Sequence, residues 1–271
     1  MPFFITLICF LAVVFLLILS GRGGKKRFEG IIGFDIAHRG FHDKPQIPEN
    51  SMPAFERAVE KGYGIELDLH LLSDGGLAVF HDNTLDRTAG VSGNIKDLTL
   101  DTLKNYNLEG TECHIPSFPE VLKLVDGKVP LIIELKAEGN TAELCAATME
   151  ALKDYKGAYC IESFDPRVLM WLHKNRPDIT RGQLSQNFLK SKSGQPLPLR
   201  ILLTALMFNF LTQPDFIAYR FADRKLIFNQ ICLKFWNLQP VCWTIKNNED
   251  HNTAKKEGYI TIFEQFEPEE E

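Results

Sequence analysis

The sequence predicts a (β/α)8 barrel, on three observations. Eight short strand-like runs alternate with segments of helical apolar spacing, and polar side chains gather where the first three of those runs end. The chain, 271 residues long with 45% hydrophobic residues, also has the length for one such domain. A doubly wound open sheet is the alternative.

Residues 1–20 come first. Phe3 to Leu19 carries no charge, and Arg22, Lys25, Lys26 and Arg27 follow it at once. No small-x-small cleavage site stands after the apolar run, so we expect an uncleaved membrane anchor rather than a signal peptide. The basic flank then predicts a single N-terminal span with the following domain on the cytoplasmic side. Residues 21–30 read as a basic, glycine-containing linker, and 31–271 as the barrel.

The strands are expected at Phe34–Ala37, Gly64–Leu69, Pro130–Leu135, Ala158–Ser163, Ile179–Leu184, Asp215–Tyr219, Pro240–Ile245 and Tyr259–Phe263. Helical spacing fills Ser51–Lys61, Ser117–Leu124, Thr141–Tyr155, Pro166–Asn175, Leu199–Leu211, Asp223–Phe235 and Asn248–Glu257. Residues 83–116 break the alternation and read as a small insertion after the second strand, with turns at Ala89-Gly90 and Ser92-Gly93. Leu199–Leu211 is apolar enough to be a buried or interfacial segment but short for a second span.

Composition narrows the partners. The net charge of −5, with no basic stripe in the body of the chain, excludes nucleic acid as a natural ligand. The six cysteines form no C-x-x-C pair and read as small core residues.

The chemistry centres on Gly64 to Asp82. Glu66 and Asp68 lie two apart in a strand, so both carboxylates point to one side and ask for a divalent cation. His81 and Asp82 arrive at the end of the next apolar run. His38-Arg39-Gly40 ends the first strand, and Glu134 and Lys136 end the third. In a parallel barrel these ends share one rim. Three carboxylates can hold Mg²⁺ or Ca²⁺, Arg39 and Lys136 suit phosphate oxygens, and two imidazoles can exchange protons near neutral pH.

These residues resemble the glycerophosphodiester phosphodiesterase family. The likeness runs from about Phe34 to the end of the chain. It is densest in Ala37-His38-Arg39-Gly40, Pro48-Glu49-Asn50-Ser51, Glu66-Leu67-Asp68, His81-Asp82, Leu85-Asp86-Arg87-Thr88, Ile115-Pro116-Ser117-Phe118 and Ile133-Glu134-Leu135-Lys136. Ser163-Phe164-Asp165 and Trp243-Thr244-Ile245 extend it. The resemblance implies catalytic roles for His38 and His81, metal ligation by Glu66, Asp68 and Glu134, and substrate or phosphate contacts from Arg39, Lys136, Asn50, Glu49 and Trp243. It implies metal-dependent hydrolysis of small glycerophosphodiesters to sn-glycerol 3-phosphate and an alcohol. Cleavage of membrane lysophospholipids in the manner of a lysophospholipase D is the alternative that an anchor would favour, and a catalytically dead, membrane-anchored binding protein is the alternative of another class. The last strand departs from the family's Thr-Asp ending, which leaves its contribution to the site open, and residues 182–211 match no family block.

Overall fold

The computed structural model describes residues 2–23, 28–190 and 194–269. Its centre is a closed barrel of eight parallel strands: β1 (Ile36–His38), β2 (Gly64–Leu71), β4 (Leu131–Leu135), β5 (Tyr159–Ser163), β6 (Arg181–Ser185), β7 (Phe216–Arg220), β8 (Gln239–Ile245) and β9 (Ile260–Phe263). β1 closes the ring by pairing with β2 on one side and β9 on the other. β3 (Leu77–Val79) stands outside the ring, antiparallel to the end of β2. The predicted eight-stranded barrel is therefore present. His81 is brought to the rim by a hairpin that folds back on β2.

Two apolar layers form because the strands are buried on both faces. Inside the ring, Ile36, Ile132, Cys160, Leu184, Phe216, Ala218, Val241 and Ile262 fill the space. Gly182 makes room for Phe216: a Cβ at this position would lie 2.1 Å from the phenyl ring. Outside the ring, Leu67, Leu69, Ile133, Leu135 and Ile161 meet the inner faces of α2 (Met52–Glu60), α4 (Phe118–Val125), α5 (Thr141–Ala151) and α6 (Pro166–Asn175). Besides the N-terminal helix, the other α-helices among the described residues are α3 (Asp86–Ala89), α7 (Leu197–Thr204), α8 (Asn209–Thr212), α9 (Ile227–Phe235) and α10 (Asn248–Lys256). Residues 83–116 hold α3 and two short 3-10 turns around a small core of their own, including Leu85, Ile95, Leu103 and Leu108. Leu199–Leu211 is two helices instead of one. Leu206, at φ 56°, turns inward to pack with Leu19 and Ile217, and that left-handed residue ends the run.

The N-terminal segment corrects the anchor expectation. Its helix, α1 (Pro2–Ile18), has 17 residues, and no helix among the described residues is long and apolar enough to cross a membrane. At 1.5 Å per residue it spans about 25 Å, short of the roughly 30 Å hydrocarbon core. Its C-terminal end is also part of the protein. Leu19 is fully buried, the Trp236 indole donates to the Leu16 carbonyl at 3.1 Å, and Phe15 packs edge-on against Phe228. Arg22 then reaches Asp215 at 2.7 Å, and Phe28 enters the base of the barrel against Phe216, with centroids 5.2 Å apart. The single span, the membrane contact through residues 3–19 and the cytoplasmic orientation argued from them are all withdrawn. The basic residues Lys25, Lys26 and Arg27 lie outside the described residues.

Candidate active site

Strand register assembles the site. His38 on β1 is level with Glu66 on β2, Asp68 is level with Glu134 on β4, and Glu134 with Glu162 on β5. Their side chains meet at the C-terminal rim. Glu66, Asp68 and Glu134 each offer an oxygen within 4.8 Å of the others, and all three are buried.

Three buried acids repel, and burial itself disfavours their charge. Burial, reinforced by the neighbouring carboxylates, raises Glu66 well above the ordinary range. Glu134 is raised by burial too, against the pull of Lys136. Burial pushes Asp68 the same way, but Lys136, His81 and Arg39 outweigh it and hold its carboxyl well below the usual value. Lys136 Nζ lies 2.9 Å from Asp68 and 2.8 Å from Glu134, occupying the place of positive charge among them. The donor set, three close carboxylates around a demand for positive charge, fits a hard divalent cation.

A sharp turn after β1 supplies the backbone of the site. Arg39 and Gly40 both have positive φ, and a Cβ on Gly40 would sit 2.9 Å from the backbone of Ala54 in α2, so only glycine lets the helix approach. The turn aims the Arg39 amide at Glu66 Oε2, 3.0 Å away, and the guanidinium at Glu49 (2.8 Å) and Asp68 (3.4 Å). Asn50, also at positive φ, donates to Asp68 at 2.8 Å. Glu49 accepts from Arg39, Arg87 and Lys44. Burial would raise its carboxyl, but those cations hold it well below the usual range. Trp243, on β8, lines the same mouth, with its indole donating to the Ala218 carbonyl and its ring edge-on to Phe164 at 5.6 Å.

Each histidine has a carboxylate on Nδ1. His38 Nδ1 lies 2.7 Å from Glu264, and His81 Nδ1 lies 2.6 Å from Asp82. An ionised carboxylate only accepts, so Nδ1 donates in both rings, which leaves Nε2 as the atom that can take or give a proton. Burial, helped by the positive Arg39, pulls His38 down to about 4 against the influence of Glu264. Glu264 and Asp82 are held well below the ordinary carboxylate range: burial opposes this, and the hydrogen bonds from His38, and from His81 and Arg87, outweigh it. The mouth they share encloses about 440 Å³.

The rim thus brings together His38, His81, Glu66, Asp68, Glu134, Arg39, Lys136, Glu49, Asn50 and Trp243. Sequence reasoning missed Glu264, Glu162 and the anchoring use of Asp82. Glu264 stands where the family ending is absent, so no motif marked it. Glu162 could have been found, because it repeats the carboxylate of Glu134 at the same depth in the next strand.

The chain has relatives among known proteins. A family model described as "Glycerophosphoryl diester phosphodiesterase family" matches residues 38–265. A glycerophosphodiester phosphodiesterase of Caldanaerobacter subterraneus subsp. tengcongensis is 37% identical over 166 residues, 56% of this chain and 66% of that protein, just under two thirds of its length. Glycerophosphodiester phosphodiesterase 1 of Mus musculus is 27% identical over 269 residues, 83% of this chain and 76% of its own. Among solved structures, an Oleispira antarctica phosphodiesterase in complex with the product sn-glycerol-3-phosphate superposes with a TM-score of 0.68 at 25% identity, covering 85% of this chain and 92% of that one. The family model, which spans most of the barrel, places this chain in the glycerophosphoryl diester phosphodiesterase family.

Proposed function

We propose that the chain hydrolyses glycerophosphodiesters to sn-glycerol 3-phosphate and an alcohol at this mouth. The observation that carries the reading is the pairing of two carboxylate-held imidazoles with a buried acidic triad. Family membership supports the reaction class, and the Oleispira antarctica structure, with its bound product, supports glycerol 3-phosphate as the half retained.

Glu66, Asp68 and Glu134 would hold one Mg²⁺ or Ca²⁺. When bound, the cation supplies Lewis acidity and positive charge for a phosphate oxygen. Arg39 and Lys136 stand beside the triad, and each can turn a donor toward the other phosphate oxygens. Glu49 and Asn50 keep that turn in place, Glu49 by gripping Arg39 and Asn50 by gripping Asp68. His38 and His81 divide the proton work at Nε2. One, neutral, takes a proton from the attacking water as its oxygen bonds to phosphorus, and the other, protonated at Nε2 as well, gives that proton to the departing alkoxide as the P–O bond breaks. Trp243 offers an apolar wall for the carbon part of the substrate.

The test is release of glycerol 3-phosphate from glycerophosphocholine by the purified chain, with and without EDTA. Release that EDTA abolishes and Mg²⁺ or Ca²⁺ restores is the expected result. No release under any cation would overturn the reading.

A further inference from the structure

Among the described residues, the insertion at 83–116 gives no side chain to the catalytic mouth, yet one of its residues ties two sides of that mouth together. Arg87 stands on α3, which its neighbours fix. Leu85 packs with Ile95, Leu103 and Leu108, and the carbonyl of the buried Thr88 accepts from the Glu109 amide at 2.6 Å. From there the guanidinium reaches out of the insertion in two directions. Its Nε donates to Asp82 Oδ2 at 2.5 Å, and its Nη1 and Nη2 donate to the two oxygens of Glu49 at 3.1 and 2.6 Å.

Each of these carboxylates has a second partner that faces the mouth. Asp82 Oδ1 accepts from His81 at 2.6 Å, and Glu49 Oε1 accepts from Arg39 at 2.8 Å. The series His81, Asp82, Arg87, Glu49, Arg39 is therefore unbroken. Its two end members line the mouth, whereas Arg87 at its middle does not.

We infer that Arg87 is a positioning residue that holds His81 and the Arg39 turn in fixed relation across the mouth, which deepens the hydrolase reading and rests on it. The Asp82 side chain is 22% exposed, so without a partner on its outer oxygen it can rotate toward water and release the ring. Arg87 takes that oxygen and sets the carboxylate plane. On Glu49 the guanidinium meets both oxygens fork to fork, the geometry that fixes direction as well as charge. A single ammonium cannot span both carboxylates. Lys44, the third cation on Glu49, turns to Glu109 at 2.6 Å instead of to Asp82, so it steadies the turn and not the imidazole. Arg87 is itself 46% exposed, so its removal opens no cavity in a core, and what is lost is aim.

The experiment measures glycerol 3-phosphate release from glycerophosphocholine, with Mg²⁺ or Ca²⁺, by the wild type, Arg87→Ala, Arg87→Lys, Asp82→Asn and the double variant Arg87→Ala with Asp82→Asn. Arg87→Ala and Arg87→Lys each lower kcat by roughly 10–10²-fold. The double variant loses less than the product of the two single losses, because Arg87 acts in part through Asp82. Free guanidinium, at concentrations that leave the wild type unchanged, enters the open site in Arg87→Ala and restores part of its rate. An unchanged kcat in Arg87→Ala, or single losses that multiply in full, overturns the inference. Proton NMR separates this from failure of the hydrolase reading. The Nδ1 proton of His81, identified by its loss in His81→Ala, exchanges with water faster in Arg87→Ala. Faster exchange without turnover of the diester by the wild type would leave the positioning standing and remove the reaction, and an unchanged exchange rate would remove the positioning.

Discussion

His38 Nδ1 and Glu264 Oε2 lie 2.7 Å apart, so the last strand of the barrel holds the imidazole of the first. The two residues are 226 positions apart and become neighbours only when β9 closes against β1. Closing the fold and orienting the ring are thus one event.

Replacing Glu264 by Gln keeps the shape and removes the requirement that Nδ1 donate. The ring can then turn its lone pair away from the mouth. We expect kcat to fall by roughly 10–10³-fold, with a smaller loss for Glu264→Asp. The pH–rate profile of Glu264→Gln should also change shape, which a purely structural role would not produce. An unchanged kcat would remove Glu264 from the machinery.

The acidic triad makes a prediction about stability as well as rate. Glu66 is buried beside two other carboxylates and is raised by burial and by them, so Glu66→Gln should stabilise the metal-free protein. The wild type should gain about 2.7 kcal/mol in Mg²⁺ or Ca²⁺ at about 100 times its Kd, and Glu66→Gln much less. Thermal melts with and without the cation check both signs. A variant that keeps the full cation response would show that Glu66 is not a ligand.

Away from the site, Asp35 is a pH-dependent tie between the start of β1, α10 and β9. It accepts from His251 at 2.9 Å, Lys255 at 3.0 Å and Thr261 at 2.9 Å. Burial opposes its ionisation, but His251 and Lys255 outweigh burial and lower it from 3.8 to about 2. A depressed folded-state value means the contribution is present above the unfolded value and lost as pH falls through the folded one. Discounted for the solvent that reaches Asp35, about 1 kcal/mol should therefore disappear between pH about 4 and about 2. Urea unfolding of the wild type and Asp35→Asn should show their difference shrinking across that window, and a constant difference would refute the tie.

Phe28 belongs to the barrel, although the sequence places it in a linker. It is fully buried inside the ring, edge-on to Phe216. Phe28→Ala should cost about 3–5 kcal/mol in chemical denaturation. A loss under about 1 kcal/mol would mean that the segment only rests against the barrel.

Much of the barrel was legible because most strands read as short runs of strand formers between turn signals, as in Leu131–Leu135, and because parallel register carries polar residues to one rim. The positions of His38, Glu66, Asp68 and Glu134 on the rim were legible for the same reason, and that of His81 from the turn signal that returns the chain after β2. The N-terminal helix was misread because an apolar run looks alike whether it faces lipid or a partner. What decided it was length and the packing of Leu19 and Phe15, which no local pattern encodes. Glu264 was missed because its meaning lies in a partner at the other end of the chain. Residues 182–211 stayed opaque, in part because the break at Leu206 comes from burial against Leu19 and Ile217 and not from a glycine or proline.

Glycerol 3-phosphate release from glycerophosphocholine can be compared for the wild type, His38→Ala and His81→Ala, each first shown by circular dichroism to be folded. Either substitution should lower kcat by at least about 10²-fold, and added cation should restore neither. Undiminished turnover in either folded variant would contradict the division of proton work between the two imidazoles.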